Sequence, residues 1–396
     1  MNRSTEILEA IGFYVFQHNV STSDGYVLNL LQVTNPLAGL VKETCNRQPV
    51  LFVHGVSCSS LIFVIRNHRA DPAEVRILEN LDDQQVALSH PNAQTAATLL
   101  LDLGHEVWLL DRRGPSTVEN RRKDKKDSAN IKSKQYWDFS LDEQAQIDIP
   151  EVVDYVLQEC LNPKVGKVSL VGHSLGATLI LMALSANQQL EKKGKFFQFA
   201  LDKQIKKQVE NEPNLSALRI VGMVSLWSPT FCRSPNLSKF GTSLLKRCHK
   251  SMPPISSAKR IQRLLKTGRS VSGARLCDIF VSKMFGKSDG QIHIEPKYID
   301  AFLVPQSARE LVHRSQSSSK GCMHHYDFED PNMNEVVYNQ PTPPKYDLSK
   351  IKLDTITIWY ANTDSYVSDF DIQRLLDSFS GETVKHSSSN NLSTNP

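Results

Sequence analysis

Apolar residues along the chain fall into two periods, and the change from one to the other marks the elements. Residues 14–20 and 26–33 flank Ser23-Asp24-Gly25 and spell a β-hairpin. Residues 49–53 are almost wholly apolar and end in His54-Gly55-Val56, as expected of a central parallel strand delivering a loop to one edge of a sheet. A short helix is predicted over 95–103 and a strand over 106–110, ending in Asp111-Arg112-Arg113-Gly114. Ser140-Leu141-Asp142-Glu143 has the form of a capping box. The helical stripe Leu141, Ala145, Ile149, Val152, Val153, Val156 and Leu157 follows, with Pro150 forcing a kink or a restart.

The next run is an apolar strand over 168–171, the pentapeptide Gly172-His173-Ser174-Leu175-Gly176, and an apolar helix over 177–186. Further strands are expected over 220–227 and 355–360, and a last helix over 369–379. Strands alternating with helices argue for a mostly parallel sheet with helices on both faces and ligands at its carboxyl edge.

Between these elements the rhythm fails. Residues 66–93 and 188–218 are polar and charged and are expected to be insertions, and 120–134 a charged loop. Residues 231–334 have short apolar clusters, many prolines and no strand-helix alternation, as expected of an inserted cap. The domain plan is a first core part over 1–230, the cap over 231–334, a last core part over 335–386, and a Ser/Asn-rich disordered tail over 387–396.

Composition changes this picture little. The chain has 396 residues and a net charge of +4 from 46 basic and 42 acidic side chains, a balance that points to no nucleic-acid partner. Its 7 cysteines lack the spacing of a zinc site, so neither metal nor cofactor is expected. Cys232 and Cys248 lie close enough in sequence to share a disulfide in an oxidising compartment. No apolar stretch has the length of a membrane span, and residues 1–10 lack the features of a signal peptide. Compartment and oligomeric state are left open.

Gly-x-Ser-x-Gly between a buried strand and a helix is a nucleophile elbow, a sharp turn that holds a serine hydroxyl clear of both elements. A serine hydroxyl needs a base, a carboxylate to orient that base, and donors for the oxyanion. Ser174 is the candidate nucleophile, and Asp364, just past a late strand, is the candidate acid. The main-chain amides of Val56 and Leu175 are candidate oxyanion donors. His54 is expected to position its loop, His173 to point away from the elbow tip, and His324-His325 beside Cys322 to lie on the surface or in cap packing.

These segments resemble the acid lipase family of α/β-hydrolases, which includes lysosomal acid lipases and gastric lipases. The resemblance runs through His18 to Leu28, Val53-His54-Gly55, Gly104 to Leu109 with Arg113-Gly114, Tyr136 to Ser140, Asp148-Ile149-Pro150, Val171 to Gly176, and Gln340 to Leu348. It implies an α/β-hydrolase fold, hydrolysis of neutral lipid esters such as triacylglycerols or sterol esters, and transient contact of the cap with a lipid surface. It also implies residence in the lysosome or outside the cell for a chain preceded by a secretion signal.

The chain departs from the family pattern in four ways. Leu175 replaces the usual Gln, two insertions are long, and the family's secretion signal is not seen. In addition, no histidine occupies the family's Asn-His-x-Asp-Phe motif after the acid. His386 is the one histidine after Asp364, and it aligns better with a position before that motif. Three accounts follow: an active lipase, a lipid-binding homologue with impaired catalysis, or an incomplete sequence of an active lipase.

Overall fold

The computed structural model describes residues 3–36, 49–65, 95–102, 104–114, 121–122, 134–162, 166–187, 194–195, 304, 306–351, 356–361, 369–379 and 384–389. After helix α1 (Arg3–Ala10), strands β1 (Tyr14–Ser21) and β2 (Tyr26–Thr34) form the expected hairpin, with Gly25 at φ 94° in its turn. Then come β3 (Val50–Val53), α2 (Ala96–Asp102), β4 (Val107–Asp111), the short β5 (Arg121–Arg122), α3 (Leu141–Glu143), α4 (Ile149–Glu159), β6 (Val168–Gly172), α5 (Leu175–Ala186) and β7 (Gly194–Lys195).

Among the described residues the main sheet has the order β1-β2-β4-β3-β6-β7, with β5 paired to β2. β3 runs parallel to both β4 and β6, with Val53 opposite Leu110 on one side and Gly172 on the other. The carboxyl ends of three parallel strands therefore lie side by side, and the chain leaves β3 first towards β4 and then crosses to β6. Such a reversal of direction opens a crevice at the carboxyl edge.

Alternation along the strands sorts the core into two layers. Leu51, Val53, Trp108, Leu110, Val168 and Leu170 face the cluster built with α4 and α5. Val50, Phe52, Val107 and Leu109 face a second cluster with Leu8, Phe13, Ala97, Leu100 and Leu101. Both faces of the sheet are covered, which is why β3 and β4 read as unbroken apolar runs.

The capping box forms as expected: the Ser140 amide donates to Glu143 Oε2 at 2.8 Å, and the Ser140 hydroxyl accepts from the Asp142 amide at 3.1 Å. A π-helical turn over Gln144–Asp148 follows α3, and α4 restarts with Pro150 in its first turn, where the missing N–H costs nothing. Arg113, at the end of β4, reaches Asp148 in this turn and Asp24 in the hairpin at 2.7 Å, with its guanidinium 4.2 Å from the centre of the Tyr26 ring.

Three expectations need correction. Residues 194–195, placed in an insertion by their polarity, form β7 parallel to β6. The boundary at 334/335 cuts through α7 (Pro331–Tyr338), and the preceding α6 (Ala308–Lys320) is built into the core layer. Ser307 Oγ lies 2.7 Å from the carbonyl oxygens of both Trp137 and Phe139, while Glu310 and His313 of α6 are buried. Composition hid this because the buried residues are polar. Finally, 387–389, assigned to a disordered tail, belong to β9 (Val384–Ser389), which pairs in parallel with β8 (Ile356–Ala361), while 390–396 lie outside the described residues. Helix α8 (Asp369–Asp377) stands between them in sequence, and its Ile372 and Leu375 join Ile358 of β8 in the core that contains Leu175. The strand expected over 220–227, the Cys232–Cys248 pairing and the insertion over 66–93 lie outside the described residues.

Candidate active site

Ser174 closes β6 and opens α5 with φ 55° and ψ −120°, in the left-handed region that a residue with a side chain avoids. The strain falls on the serine itself, and the flanking glycines serve a different purpose. A Cβ on Gly176 would sit 2.0 Å from the Val53 carbonyl oxygen, and one on Gly172 would sit 2.4 Å from the Ala177 backbone. Only glycine lets the turn press this closely on the end of β3. The His173 amide then bonds to the Val53 carbonyl at 2.9 Å and fixes the turn to that strand.

The loop after β3 meets the elbow directly. A Cβ on Gly55 would lie 2.9 Å from Ser174 Cβ, so Gly55, just before Val56, packs against the serine. In the first turn of α5 the amides of Gly176, Ala177 and Thr178 have acceptors, while those of Leu175 and Val56 have none among the described residues. Both candidate oxyanion donors thus belong to segments that touch at Ser174. Val56 and Leu175 are buried, so an anion beside them would meet little competing water.

The histidines nearby have other work. His54 Nε2 accepts from the Arg112 amide at 3.1 Å, so the ring proton is on Nδ1, which donates to the Gly55 carbonyl at 2.9 Å. Burial and the Arg112 charge hold the His54 pKa well below the ordinary value. His173 is half-buried, edge-on to Phe63, and its buried Nδ1 has no hydrogen-bond partner among the described residues; desolvation lowers its pKa to about 4. His18 pairs with Gln32 and Tyr155, and His105 precedes β4 at the opposite edge of the sheet.

Of His324 and His325, the first is buried and the second half-buried. His324 is 2% exposed, with its carbonyl accepting from His313 Nε2 at 2.7 Å, and His325 stacks on Tyr346 at 4.2 Å between ring centres. Asp142 lies against this layer, accepting from the Tyr346 hydroxyl at 2.6 Å and the Tyr326 amide at 2.8 Å. Burial alone would raise its pKa, but His313, His325 and the Tyr326 amide bring it below the usual carboxylate range.

Asp364 lies outside the described residues, just beyond the carboxyl end of β8. His386 lies within β9, in register with Ile358 and before the strand's carboxyl end at Ser389.

Sequence reasoning missed Arg112, Gln144 and Glu310. Arg112 Nη2 donates to the Gly55 carbonyl at 2.9 Å, and Nη1 donates to Gln144 Oε1 at 2.7 Å and approaches Glu310 Oε1 at 3.4 Å. Adjacent arginines at the end of a core strand were the available signal; the partner glutamate stands far along the chain.

A family model described as a partial alpha/beta-hydrolase lipase region matches residues 4–67. Lipase member K of Mus musculus is 26% identical over 376 residues, covering 94% of this chain and 80% of that protein. Gastric triacylglycerol lipase of Mus musculus is 26% identical over 372 residues, covering 92% and 79%. Among solved structures, an esterase from Exiguobacterium antarcticum aligns over 95% of this chain and 91% of its own at 14% identity, with a TM-score of 0.44. The elbow, the sheet covered on both faces, the family-model match over residues 4–67 and the near-full-length likeness to these lipases all support a relation to the acid lipase family of α/β-hydrolases.

Proposed function

We propose that the chain is a lipase, a carboxylic-ester hydrolase that cleaves neutral lipid esters such as triacylglycerols or sterol esters through an acyl-enzyme on Ser174. The observation that carries this reading is the close packing of Gly55, in the loop that carries Val56, against the strained Ser174 turn. In the first step Ser174 Oγ attacks the ester carbonyl carbon while an imidazole takes the hydroxyl proton. The carbonyl oxygen, now carrying the negative charge, accepts from the amides of Val56 and Leu175, helped by the amino end of α5. Collapse expels the alcohol with that proton, and water repeats the sequence to release the fatty acid. Asp364 is the acid that would orient the imidazole. Contact of residues 231–334 with a lipid surface, and a lysosomal or extracellular setting, belong to the same proposal by family resemblance.

A second reading has its own support. His18, His54, His313, His324 and His325 are engaged elsewhere, and His386 is the one histidine after Asp364. Among the described residues these engagements suit a chain that binds lipid esters without turning them over, since a serine without a base loses several orders of magnitude in rate. Hydrolysis of emulsified triacylglycerol and of a sterol ester by the full chain separates the two. The lipase reading expects release of fatty acid that falls by about 10³-fold or more in Ser174→Ala. Turnover that persists in Ser174→Ala contradicts it, and ester binding without turnover favours the second reading.

A further inference from the structure

We infer that Arg112 is a positioning residue for the oxyanion site, orienting and polarising the Gly55-Val56 peptide from behind, with Gln144 and Glu310 holding it in place. This rests on the reading of Val56 as an oxyanion donor.

The Gly55 carbonyl accepts from two groups on the same side, Arg112 Nη2 at 2.9 Å and His54 Nδ1 at 2.9 Å. The peptide is trans and planar, so fixing its carbonyl fixes the Val56 N–H in the opposite direction. One of the two donors is a cation. Electron density drawn towards the carbonyl oxygen leaves the amide nitrogen more positive, and its N–H becomes a stronger donor to an anion. Because the Arg112 side chain is 5% exposed, its charge acts through protein with little screening by salt.

The support behind the guanidinium is equally specific. Gln144 Oε1 accepts from Nη1 at 2.7 Å, Gln144 Nε2 donates to Glu310 Oε2 at 3.1 Å, and Glu310 Oε1 stands 3.4 Å from Nη1. The main chain takes part as well, since the Arg112 amide sets the tautomer of His54 and thereby the second donor to Gly55. The Val304 amide bonds to the Ser57 carbonyl at 3.0 Å, and Ser57 has φ 52°, which pins the loop on its other side. An ion pair needed only for stability could have closed on itself; this one directs an arm of the guanidinium to a single backbone carbonyl.

The test uses the full chain and a fluorophosphonate probe, following the covalent labelling of Ser174. The wild type should label and Ser174→Ala should not. Arg112→Met should then lower the inactivation rate constant by about tenfold with the half-saturating probe concentration unchanged, because the change acts only as charge develops on oxygen. Arg112→Lys, which keeps a cation within reach of Gly55, should recover part of the loss. Since Arg112→Met leaves Glu310 buried without its cation, Arg112→Met/Glu310→Gln is measured alongside as the variant without a stranded charge, and it should show the same loss. Folded variants that label at the wild-type rate, or a loss confined to probe binding, would overturn the role given to Arg112. A wild type that does not label would instead remove Ser174 as the nucleophile, and this inference with it.

Discussion

The elbow and the layer formed by residues 306–351 pack on the same core by opposite means. Around Ser174 the chain is held by apolar burial and backbone contact: Leu175, Leu179, Ile180 and Leu184 are at most 1% exposed, and glycines bring the turn onto β3. In the 306–351 layer the buried residues include Gln306, Ser307, Glu310, His313, Arg314 and His324, each of which needs partners to offset lost hydration. The first region depends on shape, and the second largely on hydrogen bonds, several of them to groups distant in sequence. Strain can be carried in the first because dense packing on every side leaves the turn no room to relax.

The largest effect that would separate them is steric. Gly176→Ala adds a methyl group 2.0 Å from the Val53 carbonyl oxygen, a contact that only backbone movement can relieve. Overpacking of this kind is expected to lower the free energy of unfolding by about 3 kcal/mol or more, read from urea denaturation. A loss below about 1 kcal/mol would mean that the elbow is not fixed by backbone contact.

Acid sharpens the comparison, because the two regions respond in different windows. His54 and His173 at the elbow have lowered pKa values, so the unfolded chain binds protons there first. Stability is fully present above about pH 6.5 and is lost as pH falls towards 4, with His173 alone contributing about 3 kcal/mol on the linkage relation. Asp142, in the polar layer, has a pKa below the unfolded value, and its contribution is lost only as pH falls below about 4. Thermal melts across pH 3–8 should therefore fall in two stages, and His173→Leu should shrink the first alone. A melting temperature that stays level from pH 6.5 to 4 would contradict the assignment of His173 as a neutral, desolvated ring.

A smaller effect tests the polar layer by one atom. Tyr346→Phe removes the donor to Asp142 and the acceptor for Gln146 Nε2 at 2.9 Å while keeping the ring stacked on His325. The expected cost is about 1 to 2 kcal/mol in urea denaturation. A neutral result would place the strength of this layer in packing, as at the elbow.

The same contrast explains what the sequence made legible. The hairpin, β3, β4, the capping box and the Gly-x-Ser-x-Gly turn were readable because period, cap and turn are local signals. The loop carrying Val56 could be foreseen beside Ser174, since two parallel strands ending in Gly-containing turns share an edge. Residues 306–334 could not be separated from a cap, because Ser307, Glu310 and His313 are buried by partners at Trp137, Gln144 and Leu141, far away in sequence. For the same reason Arg112 reads only as part of the segment that ends a core strand, without a role. The sharp turn at Ser174 was readable from Gly-x-Ser-x-Gly, but not that the positive φ falls on the serine while Gly176 permits close approach to β3.

The central claim is that Ser174 is an activated hydroxyl between two amide donors. Treating the full chain with a fluorophosphonate and mapping the adduct by peptide mass spectrometry tests it most directly. The account predicts a single covalent adduct on the peptide that contains Ser174, absent in Ser174→Ala. No adduct, or an adduct on a different residue, would contradict it.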